Sequence, residues 1–179
     1  MLASRSARIF DRVDAFEHGL CRSLNRGCHR PPVRDLFRIV SRLGDGVFWY
    51  VLILLLPVCF GEAGLKPACV MAVTGVVGVA LYKCLKHRLV RERPYITFEG
   101  IHAGTAPLDR YSFPSGHTLH AVAFTLLATL YFPVLAWVLV PFAALVAASR
   151  VVLGLHYPTD VLAGGLIGAL LAATAFANF

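Results

Sequence analysis

The chain has 179 residues, of which 58% are hydrophobic and only 15% are charged, and its mean hydropathy is +0.69. Soluble domains average about half apolar and about a quarter charged residues, so this composition excludes an ordinary soluble domain and indicates a single membrane domain. A net charge of +7 could suit nucleic acid, but the apolar content argues against that partner. The basic residues fit anionic lipid headgroups or a phosphate-bearing ligand instead.

The N-terminal region predicts an amphipathic helix over residues 8–26. Apolar side chains recur there at helical spacing, and most charged side chains fall on the opposite side. The helix is too charged to span a bilayer, which leaves two placements open: it lies in the membrane interface, or it caps a helical bundle from outside. Gly27 and the Pro31-Pro32 pair end it.

Five membrane helices are predicted after this break, over residues 33–61, 66–86, 116–132, 135–150 and 159–178. A span needs about 20 apolar residues. The first helix is therefore expected to begin well before its uncharged part at Gly46. The uncharged run from Tyr111 to Ser149 is too long for one span, and Pro133 is predicted to divide it. The expected fold class is an all-α polytopic membrane helical bundle, with residues 87–114 as its long polar loop.

Three polar clusters interrupt the apolar helices. They share cationic or imidazole side chains, and are formed by Lys86 with Arg93, by Pro114-Ser115-Gly116-His117, and by Arg150 with His156 and Asp160. Charge at the end of a membrane helix is costly to place and usually functional. Because five alternating spans put all three clusters at one membrane face, we expect them to form a single site.

The cations and the predicted helix start in these clusters suit a bound phosphate group. Lys86, Arg93 and Arg150 provide three cations, and arginine holds phosphate oxygens through two parallel hydrogen bonds. Ser115 is a typical N-cap residue. Gly116 beside it lets an anion approach the free N–H groups and the positive end of the helix dipole.

The two histidines of the clusters suit phosphoryl transfer. His156 precedes Asp160 by four residues, close enough for the carboxylate to contact the ring. A carboxylate on one ring nitrogen orients an imidazole and makes the other nitrogen a better nucleophile or base. His117 supplies a second imidazole. One ring could attack phosphorus while the other protonates the leaving oxygen.

Each of these residues taken singly could also have a purely structural role. An arginine at a helix end is commonly a headgroup anchor, and a histidine near an apolar helix is commonly a packing residue. His117 and His120 form an H-x-x-H pair that could hold a metal, but that helix has no acidic ligand, so no metal is expected. A non-catalytic protein whose basic face binds anionic lipid is the other class left open, although it would not need His156 paired with Asp160.

The three clusters resemble the three-part signature of the type 2 phosphatidic acid phosphatase family. They read Lys86-x₆-Arg93-Pro94, then Pro114-Ser115-Gly116-His117, then Ser149-Arg150-x₅-His156-x₃-Asp160. The resemblance implies a membrane phosphatase that needs no metal or other cofactor. It implies that His156 is the nucleophile that becomes phosphohistidine, that Asp160 is its partner and that His117 is the general acid. The residues implied to bind the phosphoryl oxygens are Lys86, Arg93, Ser115, Gly116 and Arg150.

The resemblance also implies a lipid phosphate substrate, with membrane lipids and not nucleic acid as the other partners. Undecaprenyl diphosphate is expected first, because loop 87–114 carries further cations, including Arg91 and Arg110, that would tolerate a diphosphate. Glycerophospholipid phosphates (phosphatidylglycerol phosphate, phosphatidic acid) come second. A lipid A phosphatase and a lipid-to-lipid phosphotransferase remain alternatives on the same site. The sequence indicates no oligomeric state.

The family resemblance places the protein in the bacterial inner membrane, with its site facing the periplasm. The distribution of charge favours the opposite side. Of the 17 Lys and Arg residues, all but Lys66 either precede residue 46 or fall on the face of the site, which the positive-inside rule assigns to the cytoplasm. Several of these cations belong to the site itself, so we expect a periplasmic site and leave a cytoplasmic one open.

Overall fold

The computed structural model describes the backbone of residues 2–179 and the side chains of residues 13–179. Over these residues it contains eight α-helices and no β-strand. The helices are α1 (Leu2–Asn25), α2 (Pro31–Arg42), α3 (Phe48–Phe60), α4 (Glu62–Arg88), α5 (Pro94–Thr97), α6 (Gly116–Tyr131), α7 (Ala136–Val152) and α8 (Pro158–Asn178).

Four segments of the described chain are long and apolar enough to cross a bilayer. They are Pro31–Phe60, Glu62–Arg88, Pro133–Val152 and Pro158–Asn178. The remaining predicted span forms as α6, which at 16 residues is only about 24 Å long. It packs among α4, α7 and α8 in the centre of the bundle. The predicted all-α membrane bundle is thus confirmed.

The first membrane segment is broken between α2 and α3, where the sequence predicts one continuous helix over 33–61. Residues Leu43–Val47 form a π-helical turn in which Asp45 and Gly46 leave helical geometry, and Gly46 has φ of 124°. Only glycine adopts this conformation without strain from a Cβ atom. As a result, the Asp45 carboxylate lies beside His117 of α6.

Helices α6 and α8 approach each other most closely at two glycines of α8. A Cβ atom would lie 2.5 Å from the carbonyl oxygen of Ser115 if added at Gly164, and 2.3 Å from that of Leu119 if added at Gly168. Small residues permit such close packing of membrane helices. The first turns of the two helices consequently meet, and the Ser115 N–H donates to the carbonyl oxygen of Asp160 at 3.1 Å.

Helix α1 lies against the outside of the bundle with its polar face turned inward. Asp14 and Glu17 are buried, whereas Phe16 is 90% exposed. Leu20 and Leu24 are exposed on the same outer side. The helix therefore caps the bundle and presents an apolar face outward, as an interfacial helix does. The side chains of residues 8–12, which belong to the predicted amphipathic helix, lie outside the described residues.

Candidate active site

A cavity of about 840 Å³ lies between the α2–α3 break, α4 and α6. One end of it is lined by charged and imidazole side chains, namely Asp45, Lys86, Arg93, Asp109, His117, Arg150 and His156. Five of these side chains come from the three polar clusters of the sequence, and the other two are Asp45 and Asp109. The structure thus brings the clusters together at one end of the bundle, where α4 and α7 end and α6 and α8 begin.

The rest of the cavity is apolar and extends along the membrane helices. Ile53, Met71 and Phe124 are among the residues that line this part. Leu54 of α3 and Val76 of α4 also line it, yet they are 70% and 72% exposed at the outer surface of the bundle. The cavity therefore opens sideways between α3 and α4.

His156 lies in the short connection between α7 and α8 and is 2% exposed. Its Nε2 lies 3.3 Å from Nη1 of Arg93. A guanidinium can only donate, so Nε2 accepts and the ring proton is on Nδ1. Burial and then the charges of Arg93 and Arg150 hold the pKa of His156 well below its usual range. The ring is therefore neutral, with the Nε2 lone pair directed toward the cationic end of the cavity.

Asp160 lies behind His156 and is completely buried. Its Oδ2 accepts from the Tyr157 N–H at 2.9 Å and lies 3.6 Å from Nδ1 of His156. That second distance is beyond hydrogen-bonding range, so the carboxylate acts on the ring as a nearby charge. Oδ1 of Asp160 accepts from Arg91 at 2.6 Å. Asp160 does not line the cavity and can act there only through His156.

Lys86 and Arg93 converge on one carboxylate, that of Asp109 in the loop before α6. Lys86 Nζ donates to Asp109 Oδ1 at 2.7 Å, and Arg93 Nη2 donates to the same oxygen at 2.6 Å. Arg93 is further held by a bond from Nη1 to the carbonyl oxygen of Leu155 at 2.7 Å. Two cations that the sequence assigns to phosphate are thus paired with a side-chain anion.

Arg150 approaches the same end of the cavity from α7. Its Nη1 donates to Oγ of Ser41 on α2. Its Nε is buried and has no hydrogen-bond partner among the described residues. The side chain is 3% exposed and lines the cavity. Arg150 therefore brings a positive charge to the end of the cavity where an anion would bind.

The start of α6 is built as the sequence predicts, with Ser115 as the N-cap. Its Oγ accepts from the Thr118 N–H at 3.5 Å and shares a hydrogen bond of 2.9 Å with Oγ1 of Thr118. Gly116 lines the cavity, but the buried Ser115 does not. Contact between Ser115 and phosphoryl oxygens consequently stays a prediction.

The two histidines of α6 have different surroundings. Nε2 of His117 lies 3.3 Å from Oδ1 of Asp45, inside the polar end of the cavity. The ring nitrogens of His120 face the carbonyl oxygens of Gly116 at 2.9 Å and Gly75 at 3.2 Å. His120 is therefore held by backbone carbonyls as a packing residue, which gives no support to the H-x-x-H metal alternative.

Three charged residues have site contacts that the sequence did not assign. Asp45 faces His117, Asp109 bridges the cations, and Arg91 binds Asp160. The only one with a clear sequence signal is Asp45, because it is the sole charged residue between Arg42 and Glu62. Arg91 was expected to extend the substrate site of loop 87–114, but it is buried in an ion-pair cluster and does not line the cavity.

Comparison with known proteins identifies relatives over most of the chain. A sequence model of the PAP2 superfamily matches residues 63–179. The chain is 31% identical over 131 residues to undecaprenyl-diphosphatase BcrC of Bacillus subtilis. This alignment covers 73% of this chain and 67% of that protein. The chain is also 31% identical over 170 residues to lipid A 1-phosphatase of Rhizobium johnstonii. That alignment covers 82% of this chain and 69% of that protein. The chain thus spans about two thirds of the length of each relative.

A solved structure has the same fold. The crystal structure of Aquifex aeolicus LpxE superposes with a TM-score of 0.77 at 26% sequence identity. The superposition covers 90% of this chain and 95% of that one.

Proposed function

This chain belongs to the PAP2 superfamily and is a membrane lipid phosphatase, and on that premise we propose that it hydrolyses undecaprenyl diphosphate through a phosphohistidine formed at His156. The family membership confirms the resemblance of the three sequence motifs. The substrate, the intermediate and the residue roles are the proposal.

The observation that carries the proposal is the division of the cavity into two parts. Lys86, Arg93 and Arg150 lie at one end with two imidazoles, which suits a phosphate group. The other part is apolar and opens between α3 and α4, which suits a hydrocarbon chain that stays in the bilayer. A substrate with a phosphate head and a long apolar tail fits both parts at once.

In the proposed first step, Nε2 of His156 attacks the terminal phosphorus. The N–P bond forms while the bond to the leaving oxygen breaks, and that oxygen keeps the electron pair and takes a proton from His117. Lys86, Arg93 and Arg150 stabilise the charge on the other phosphoryl oxygens. The negative charge of Asp160 beside Nδ1 stabilises the ring as it becomes positive.

In the second step, water attacks the phosphohistidine. It gives a proton to His117, and the N–P bond returns its electron pair to Nε2 as orthophosphate is released. The phosphate group then competes with the Asp109 carboxylate for Lys86 and Arg93, since the carboxylate already accepts from both cations.

Undecaprenyl diphosphate is the first candidate because the Bacillus subtilis relative is named as an undecaprenyl-diphosphatase. Loop 87–114 supplies fewer cations to the cavity than the sequence predicts, because Arg91 belongs to the ion-pair cluster. The alignment with lipid A 1-phosphatase is longer, so a lipid A phosphate is the second candidate. Glycerophospholipid phosphates come third.

The direct test is phosphate release by purified protein from a panel of these lipids in the presence of a chelator. We expect the highest kcat/KM on undecaprenyl diphosphate, loss of release in His156→Ala, and ³²P bound to wild-type protein through a bond that survives base and breaks in acid. Full turnover by His156→Ala would refute the mechanism. A kcat/KM that is higher on lipid A than on undecaprenyl diphosphate would identify lipid A as the substrate instead.

Transfer of phosphate to a second lipid is the remaining alternative on this site. Undecaprenyl diphosphate with ³²P in its terminal phosphate is incubated with and without unlabelled lipid A, and the products are separated. Hydrolysis predicts that the label appears as orthophosphate in both reactions. Label recovered on lipid A would identify a phosphotransferase.

The protein is integral to the membrane, and we propose the bacterial inner membrane with the site at the periplasmic face. Helix α8 begins beside the site and runs to Asn178, so the C-terminus lies at the opposite face. A reporter enzyme fused after Phe179 should be active only in the cytoplasm. Activity in the periplasm would place the site on the cytoplasmic side.

A further inference from the structure

A buried cluster of charged side chains joins α1 to the first turn of α8. It consists of Asp14 and Glu17 from α1, Arg91 from the loop after α4, and Asp160, and these residues are 6%, 5%, 2% and 0% exposed. The family model begins at residue 63, so the two α1 residues lie outside the region it matches. The cluster is separate from the cavity that the substrate is proposed to occupy.

The guanidinium of Arg91 is the centre of the cluster. Its Nη2 lies 2.5 Å from Oδ1 of Asp14 and 2.9 Å from Oε2 of Glu17. Its Nη1 lies 2.6 Å from Oδ1 of Asp160. The face of the guanidinium lies 3.8 Å from the centre of the Tyr157 ring. Arg91 is thus fixed on one side by α1 and on the other by the residues that flank His156.

Glu17 also makes a direct connection to the start of α8. Oε1 accepts from the Thr159 N–H at 2.7 Å, and Oε2 accepts from Thr159 Oγ1 at 2.6 Å. This N–H belongs to the first turn of α8, where backbone donors have no partner within the helix. A side chain from α1 therefore caps the helix whose first turn carries Asp160.

Such a cluster is costly to bury. Three carboxylates share one guanidinium in surroundings of low exposure, and burial raises the pKa of Asp14 against the opposing effect of Arg91. Buried ion pairs are a poor means of stabilising a fold, since hydrophobic residues of similar volume do so as well or better. The cost of the cluster therefore points to a function of Asp160, the member that lies beside His156.

We propose that Asp14 and Glu17, acting through Arg91 and Thr159, position Asp160 behind His156, so that α1 is a positioning element of the active site. The proposal rests on the proposed function, because it matters only if His156 is the nucleophile. Arg91 holds Oδ1 of Asp160, which leaves Oδ2 directed at the Tyr157 N–H and at Nδ1 of His156. Without Arg91, the buried carboxylate loses its counter-charge, and its support of the ring during attack is lost.

The test compares cluster variants with a matched exposed ion pair. Arg91→Met and the double variant Asp14→Asn/Glu17→Gln remove the two sides of the cluster. Arg34→Met and Asp35→Asn remove the partners of an exposed pair on α2, at 3.2 Å and 37% and 54% exposed. All variants are purified full-length, and kcat and KM are measured per folded molecule.

We expect kcat to fall by about 10- to 100-fold in both cluster variants, the range typical of residues that orient a site ligand. KM should stay within about twofold, because the cations that bind phosphate are unchanged. Arg91→Lys, which keeps the charge but not the fork of donors, should recover part of kcat. The two α2 variants should match the wild type. A purely structural cluster would lower the yield of folded protein and leave kcat per molecule unchanged.

Wild-type kcat in Arg91→Met, or in the double variant, would overturn the proposal. If these variants fail to fold, the single variant Glu17→Gln is used in their place. A lowered kcat in Glu17→Gln would support the proposal, and an unchanged kcat would overturn it. His156→Ala is assayed alongside. If it keeps full activity, the proposed function fails; if it is inactive while the folded cluster variants are fully active, only the positioning role fails.

Discussion

The carboxylate of Asp45 faces the imidazole of His117, with Oδ1 3.3 Å from Nε2. Asp45 lies in the break between α2 and α3, and His117 lies in α6. They meet because the chain leaves helical geometry at Asp45 and Gly46. A carboxylate in this position orients the ring and favours a proton on the nitrogen that faces it. The break in the first membrane segment thus supplies a partner for the proposed general acid.

Removal of this carboxylate should impair protonation of the leaving group. We expect Asp45→Asn to lower kcat on phosphatidic acid, whose leaving oxygen is an alcohol oxygen, by about 10-fold and His117→Asn by about 100-fold or more, the range of general acid catalysis. Both losses should shrink on p-nitrophenyl phosphate, whose leaving oxygen needs no proton. Equal losses on the two substrates would argue against an acid role for His117.

Asp109 should compete with phosphate for Lys86 and Arg93. In Asp109→Asn the two cations lose their shared anion, so inorganic phosphate is expected to inhibit at a concentration lower by about 2- to 5-fold, a change typical of a partly exposed charge. The inhibition constant for phosphate measures this directly. Glu92→Gln, which removes the exposed partner of Arg110, is the control and should leave the constant unchanged. Weaker inhibition in Asp109→Asn would contradict the prediction.

The pH dependence of kcat/KM should report the lowered pKa of His156. Only the neutral ring can attack, so activity falls as the pH drops through this pKa, and the acid limb should lie below the ordinary value of 6.5. Arg93 is one cause of the lowering, so Arg93→Gln should raise the pKa of His156 and move the acid limb to higher pH. Measuring both proteins on one substrate cancels the substrate's own ionisation. If the acid limb of Arg93→Gln lies at the same pH as that of the wild type, the limb reports a group other than His156.

The close contact of α8 with α6 should tolerate no side chain at Gly164. In Gly164→Ala the new methyl group meets the carbonyl oxygen of Ser115, and we expect the free energy of unfolding to fall by about 1–3 kcal/mol, with loss of activity as the start of α6 moves. The control is Gly165→Ala, whose Cβ would lie 3.8 Å from the nearest atom. Thermal unfolding in detergent compares the two. Equal stability of both variants would show that the helices can separate without cost.

The sequence predicts the helices and the convergence of the three clusters because charge stands out in apolar runs and each span alternates direction. It does not predict Arg91 as part of an ion-pair cluster, since the partners Asp14 and Glu17 are 77 and 74 residues away and follow no local pattern. Asp109 lies in an irregular loop with no periodicity to place it. Asp45 stands between two glycines, which is a sequence signal for a break in a helix, but helical spacing alone does not predict that the chain bends there.

The sideways opening between α3 and α4 has a consequence for how turnover ends. In the proposed reaction, orthophosphate forms at the charged end of the cavity, beside the loop, from which it would depart to water, whereas the lipid product lies with its tail in the apolar part and would depart within its leaflet. The two products would then leave by separate exits, and accumulation of one would not obstruct the other. Such an enzyme would be slowed by the lipid composition of its own leaflet and by dissolved phosphate through independent routes.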